Sequence, residues 1–175
     1  YLMDVAELKV SPNEEWAAVV LGEDERMAEV WELGGSGPIP RHHFPISLTG
    51  QIEDLAVGNT GDWFAIASDS AESIEFWNLT GQEPERSTFS GHRMGVSEMV
   101  ASPDGRWLVT IEPEKTLLWK LDDLDTVARP LDLGSKVRSV RDVAFSGNSR
   151  WLLISSYSGA DSENRIYLRD LSDSS

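Results

Sequence analysis

The chain of 175 residues has about the length of one ordinary domain, and its 40% hydrophobic and 9% aromatic residues suffice for a packed core, which excludes global disorder. Its net charge of −15 opposes nucleic-acid binding, and no apolar run in the sequence is long enough to span a membrane. Cysteine is absent, which excludes disulfides and thiolate metal sites.

The charge is unevenly distributed. Residues 1–90 contain 4 basic and 17 acidic residues, whereas residues 91–175 contain 11 and 13. This acidity is either a solvated surface that promotes solubility or a face for a partner with a basic surface. Asp4 and Glu7 stand where a secretory signal would be basic, and no initiator methionine is present. We therefore expect the chain to begin inside a longer protein, in the cytoplasm.

A turn ending in tryptophan recurs four times along the chain. The copies read SPNEEW (11–16), GNTGDW (58–63), SPDGRW (102–107) and SGNSRW (146–151), and their tryptophans are 47, 44 and 44 residues apart. A second column follows each turn, reading VWEL, FWNL, LWKL and, in the last copy, YLRDL. All seven tryptophans fall in these two columns. The spacing predicts four repeats, at approximately 1–47, 48–91, 92–135 and 136–175.

Each repeat has the pattern of a small sheet. A short run such as VSEMVA or VRDVAF leads into the turn, an apolar run such as WLVTI or WLLIS follows it, and the second tryptophan column marks a third strand. Polar segments containing proline separate the first three repeats from their successors and leave room for a fourth strand. The pattern predicts an all-β fold of about 15 strands, with the fourth repeat lacking its outer strand.

The third repeat resembles the WD-repeat family through Gly91-His92, Val96, Met99, the SPDG turn, Thr110 and the LWKL segment. The resemblance implies a β-propeller spanning 1–175. It also implies a structural tetrad of hydrogen-bonded side chains formed by His92, Thr110 and Trp119, with Glu114 in place of the family's aspartate. Gly-His occurs only in this repeat, and Trp-Asp occurs in none.

Four repeats leave the ring of blades incomplete, because most rings of this family have seven blades. Three interpretations remain open. The chain is a segment of a larger propeller, or a half-propeller of which two copies form a ring, or a closed ring of four blades. The partners expected on this basis are further blades of the same protein or a second copy of the chain.

Catalysis is not expected, because the three histidines have no triad context and no phosphate-binding or calcium-binding motif is present. No cofactor and no metal site is predicted. The resemblance implies that partners bind the loops between an outer strand and the next first strand, which here include Gln51, Arg93, Met94 and Arg138. Arginine and methionine are favoured in protein interfaces.

The predicted function is a non-enzymatic scaffold that binds protein partners as part of a larger multidomain protein. The alternative is a propeller that gates, escorts or senses for an enzyme domain elsewhere in the protein, because the fourth repeat also resembles propellers of the TolB and prolyl-oligopeptidase types. Neither hypothesis includes binding to nucleic acid or to a membrane.

Overall fold

The computed structural model describes residues 5–22, 26–34, 39–121, 131–132, 139–158 and 163–172. Within them the chain is all-β, and its strands form four small antiparallel sheets that do not close into a ring. This confirms the predicted fold class of propeller blades in an incomplete ring. We number the sheets blades 1 to 4 in chain order. None of the described residues belong to a helix long and apolar enough to cross a membrane.

In each blade the strands lie side by side in the order in which the chain forms them. Blade 1 contains β1 (Val5–Val10), β2 (Trp16–Leu21), β3 (Met27–Glu32) and β4 (Ile39–Pro45). Blade 2 contains β5 (Ile52–Val57), β6 (Trp63–Ser68), β7 (Ser73–Asn78) and β8 (Glu85–Ser90). Blade 3 contains β9 (Glu98–Ala101), β10 (Trp107–Glu112), β11 (Lys115–Lys120) and β12 (Leu131–Asp132). Among the described residues, blade 4 has three strands: β13 (Val140–Phe145), β14 (Trp151–Ser158) and β15 (Glu163–Asp170).

The repeated turn has the same backbone conformation in all four blades. The residue two positions before each tryptophan has a left-handed φ: 62° at Glu14, 65° at Gly61, 72° at Gly105 and 56° at Ser149. Glycine relieves the strain of this conformation in two of the copies. At position 61, glycine also allows blades 1 and 2 to pack closely. A Cβ at this position would lie 2.3 Å from the Trp16 ring of blade 1, which is a steric clash.

The serine that opens three of these turns explains why the motif is stable. In blade 3, Ser102 Oγ accepts a hydrogen bond from the Trp107 N–H at 3.0 Å and donates one to Asp104 Oδ1 at 2.6 Å. The same two bonds link Ser11 with Trp16 and Asn13, and Ser146 with Trp151 and Asn148. Such local bonds satisfy polar groups that a tight turn would otherwise leave without partners.

Three apolar cores lie between successive blades. Blades 2 and 3 each pack one face on the preceding blade and the other face on the following blade. Trp63 and Trp119 are fully buried in the core between blades 2 and 3, and Trp107 is buried between blades 3 and 4. These three tryptophans therefore pack blades together, which accounts for them without a bound ligand.

Polar contacts also join the blades. The buried Asp54 carboxylate of blade 2 accepts hydrogen bonds from Lys9 Nζ of blade 1 at 3.0 Å and from the Met99 N–H of blade 3 at 2.6 Å. The turns form a second set, in which the Asn13 N–H donates to Asn59 Oδ1 and the Asp104 N–H donates to Ser149 Oγ, each at 2.9 Å. Each blade thus has a defined position on its neighbour.

Candidate functional site

The loop between β8 and β9 carries the His92, Arg93 and Met94 side chains, and the β10–β11 hairpin lies behind it. Three of the four side chains that the WD-repeat resemblance implied are linked in this region. His92 Nε2 lies 2.6 Å from Thr110 Oγ1, and Trp119 Nε1 donates a hydrogen bond to the same oxygen at 2.8 Å. All three residues are buried.

The fourth implied residue, Glu114, does not join this network. It is exposed in the turn between β10 and β11, and the carboxylate beside the imidazole belongs to Glu112, whose Oε2 lies 3.5 Å from His92 Nδ1. The reason is strand geometry, because residues two apart on a strand point to the same side. Glu112 is two residues after Thr110 on β10, whereas Glu114 follows the end of the strand. Because side chains alternate between the two sides of a strand, the spacing from Thr110 could have identified Glu112 from the sequence.

The environment of His92 favours its neutral form. Burial is the largest influence on the pKa of His92 and lowers it, while the Glu112 carboxylate acts in the opposite direction. In the neutral ring, a proton on Nδ1 faces Glu112 and leaves Nε2 free to accept from the Thr110 hydroxyl. We assign this tautomer from the pattern of donors and acceptors.

Glu112 also fixes the exposed part of the loop. Its Oε2 accepts hydrogen bonds from the backbone N–H of Arg93 at 3.0 Å and of Met94 at 2.8 Å. Lys115, which pairs with Glu112 on the other strand of the hairpin, donates a hydrogen bond from Nζ to the Gly91 carbonyl at 2.7 Å. The network is thus structural, and it holds two of the predicted partner-binding residues in place.

Three of the four predicted partner-binding residues lie on one face. Gln51, Arg93 and Met94 are all exposed, and Met94 retains 49% of its accessible surface. The loops that carry them meet at Asp69, whose Oδ1 accepts from the Gln51 N–H at 3.0 Å and whose carbonyl oxygen would be 1.8 Å from a Cβ at Gly95. The fourth, Arg138, lies outside the described residues.

Blades 1 and 2 hold their third-strand tryptophans with carboxylates that the sequence analysis did not identify. Val19 and Ile66 occupy the position of Thr110, and neither side chain has an atom that can accept a hydrogen bond. In blade 2 the buried Glu75 accepts from Trp77 Nε1 at 2.9 Å and from the Ser47 N–H at 2.8 Å.

Blade 1 uses the equivalent residue, Glu29. Its carboxylate accepts from Trp31 Nε1 at 2.9 Å and lies 2.7 Å from His43 Nδ1. The signal in both blades was a glutamate two residues before the tryptophan on the same strand, which places the carboxylate on the side of the indole. Blade 4 has Ile154 and Arg169 at the positions of Thr110 and Trp119.

Comparisons with known proteins agree with this arrangement. Residues 83–110 match the model of the family described as "WD domain, G-beta repeat". No curated protein matches the sequence. A crystal structure of a Bacteroides fragilis protein, provisionally assigned as a 6-phosphogluconolactonase, is similar over 96% of this chain with a TM-score of 0.57 and 10% sequence identity.

The chain spans about half of that protein, covering 55% of its length. At this level of identity the likeness concerns the fold alone. WD repeats generally mediate interactions between proteins, and the network around Thr110 lies largely within or beside the matched residues. The family match and the series of small antiparallel sheets together fit a WD-repeat propeller family.

Proposed function

We propose that this chain is a non-catalytic scaffold that binds a protein partner through the face carrying Gln51, Arg93 and Met94. The observation that carries the proposal is the double hydrogen bond from the Arg93 and Met94 N–H groups to the buried Glu112 carboxylate. It fixes an exposed methionine and an exposed arginine on a loop before any partner arrives. A partner then binds without having to order this loop, which reduces the entropic cost of association.

Charge indicates the kind of partner. Arg93 lies within a chain of net charge −15, and Asp69 lies where the two exposed loops meet. A partner with a basic surface is attracted by the acidic field, while an apolar pocket on it would accept Met94. Such attraction mainly accelerates association, and salt weakens it. We place this interaction in the cytoplasm.

Photo-crosslinking at two matched positions tests the proposal. One variant of the chain carries a photoreactive residue in place of Met94, and a second variant carries it in place of Gln82. Gln82 is exposed between β7 and β8, at the opposite end of the strands from the Arg93–Met94 loop. We expect the same partner to be crosslinked from position 94 in repeated preparations and not from position 82. Equal crosslinking from both positions would contradict the proposed face.

Substitution of the same loop provides a second measurement. The Arg93→Glu/Met94→Asp double variant should lose capture of the partner identified by crosslinking, whereas Gln82→Asp should retain it. Raising the salt concentration should weaken capture by the unmodified chain, because the proposed attraction is between exposed charges. Undiminished capture by the double variant would show that partners bind elsewhere.

The second candidate is a propeller that gates, escorts or senses for an enzyme domain of the same protein. The observation that favours it is the likeness of fold to the provisionally assigned lactonase. It ranks second because that likeness does not extend to sequence. A hydrolase nucleophile motif in flanking sequence would favour this candidate, and its test is the activity of that domain with and without the propeller.

A further inference from the structure

The strand β8 forms the outer edge of blade 2, and its sheet continues on one side only, at β7. An edge strand directs alternate backbone N–H and C=O groups away from its sheet, where an added strand can pair with them. All six residues of β8, from Glu85 to Ser90, pair with β7 in an unbroken register, and five of the six are exposed. The edge of β8 is therefore regular and accessible.

The outer strands of the neighbouring blades are poorer templates for an added strand. β4 contains Pro40 and Pro45, which have no N–H to donate, and its register against β3 shifts beside Trp31. β12, as far as the structure describes it, has only the two residues Leu131–Asp132. β8 contains no proline and no bulge. Of the outer strands described in blades 1 to 3, β8 is thus the one suited to pairing.

Contacts on both faces of blade 2 hold β8 in place. The Phe89 ring is 3% exposed and stacks between Phe76 of β7 and Trp119 of blade 3, with centroid distances of 4.5 and 5.1 Å. On the other face, the Arg86 guanidinium donates a hydrogen bond to Ser47 Oγ, in the segment between blades 1 and 2. The edge is therefore ordered before a partner arrives, which lowers the entropic cost of binding.

The charges around β8 indicate what kind of segment it accepts. Repeat 48–91 contains eight acidic residues and one basic residue, a net charge of −7, and is the most acidic of the four repeats. Its one basic residue is Arg86, which already contacts Ser47, whereas Glu83 and Glu85 are exposed at the start of β8. A cationic segment fits these charges, and an acidic one is repelled.

We propose that an extended, lysine-rich segment of a partner protein adds to blade 2 as a fifth strand beside β8. Its main chain exchanges hydrogen bonds with the outward N–H and C=O groups of β8, and a lysine lies beside Glu85. This mode of recognition takes affinity from the main chain and selectivity from alternate side chains. The surface is the outer edge of the blade and does not involve Arg93 or Met94, so the inference does not depend on the proposed partner face.

Amide hydrogen exchange of the 175-residue chain is the first test, with a short capped peptide of alternating lysine and threonine as the probe. In the free chain, alternate amides of β8 should exchange fast, because they point away from β7. Adding the peptide should slow exchange at these amides. Slow exchange at every β8 amide before the peptide is added would show that another part of the chain covers the edge. Unchanged exchange at saturating peptide would equally overturn the proposal.

Modified peptides separate main-chain pairing from simple charge attraction. Methylation of every second peptide N–H can be made in two patterns, and one of them blocks the N–H groups that point at β8. We expect that pattern to abolish binding while the total charge stays the same. Binding by both patterns at the affinity of the parent peptide would show that no strand is added. A peptide with glutamate in place of lysine should not bind, and its binding would contradict the proposed charge selectivity.

Two charge reversals on the same blade locate the contact. Glu85→Lys should lower the affinity for the lysine–threonine peptide by about tenfold, because a favourable cross-strand pair becomes a repulsive one. Glu53→Lys is the matched control, since Glu53 is exposed on β5 at the opposite edge of the same sheet. Three strand spacings, about 14 Å, separate the two edges, so salt screens this charge from the peptide. Equal losses in the two variants would mean that the peptide senses only net charge.

Two further measurements distinguish this surface from other occupants and sites. The Arg93→Glu/Met94→Asp double variant should bind the peptide as well as the unmodified chain does, and a loss would place the peptide on the proposed partner face instead. Light scattering of the chain without peptide should show no association through β8. Self-association that Glu85→Lys abolished would identify a second copy as the added strand and would overturn the proposal.

Discussion

Blades 2 and 3 solve the same problem with different side chains. Each buries a third-strand tryptophan whose indole N–H needs an acceptor, and each must hold the loop that enters the blade. Blade 3 divides the work between Thr110, which accepts from Trp119, and Glu112, which accepts from the loop. Blade 2 uses the single carboxylate of Glu75 for both bonds. The comparison teaches that satisfied polar atoms, rather than a fixed set of residues, are what the fold requires.

Removal of either tryptophan should have the largest effect. Trp119→Ala should lower the free energy of unfolding by about 3–5 kcal/mol, because it leaves a cavity at a fully buried site. Trp77→Ala should cost less, because Trp77 retains 9% exposure. Urea unfolding followed by circular dichroism measures both. A larger loss for Trp77→Ala would show that blade 2 depends more on its tryptophan than burial indicates.

Removal of the acceptor should come next. Thr110→Val keeps the shape but leaves Trp119 Nε1 and His92 without their shared partner, which should cost about 2–3 kcal/mol of unfolding free energy. Thr110→Ser keeps the hydroxyl and should cost about 1 kcal/mol for the lost methyl group. Glu75→Leu is the corresponding test in blade 2. Equal losses for the Val and Ser variants would indicate that packing, not the hydrogen bond, stabilises blade 3.

The two glutamates near the hairpin should differ clearly. Glu112→Ala should cost about 1–2 kcal/mol, because two loop N–H groups lose their acceptor. Glu114→Ala should change the free energy of unfolding by less than about 0.5 kcal/mol, because the residue is exposed. Hydrogen exchange at the Arg93 and Met94 amides should accelerate in the first variant only. Acceleration in both would mean that Glu114 also holds the loop.

Acidification should weaken blade 3 by a smaller amount. The pKa of buried His92 lies below the usual 6.5, so as the pH falls below 6.5 the unfolded chain takes up this proton before the folded chain does. The contribution of neutral His92 is therefore present above pH 6.5 and is lost as the pH falls through its folded pKa. Urea titrations should show a steeper loss between pH 7 and pH 5 for the unmodified chain than for His92→Gln. Parallel profiles would mean that His92 titrates normally.

Much of the fold followed from the sequence because the repeat is encoded locally. The 47, 44 and 44 spacing of Trp16, Trp63, Trp107 and Trp151 predicted four sheets, and the SPDG segment was predicted to be a turn. The hydrogen bond between Ser102 and Asp104 within that turn came from the structure. The candidate site was less accessible. The resemblance offered Glu114, while the acidic residue beside His92 is Glu112, because the chosen side chain depends on where β10 ends.

The sequence by itself determined the number of repeats, their phase and the columns that form the cores, because turns and alternating strands depend on neighbours in the chain. The tertiary structure alone decided which polar atoms meet. Glu75 reaches the Ser47 backbone across 28 residues, and Asp54 joins three blades, contacts that no local pattern records.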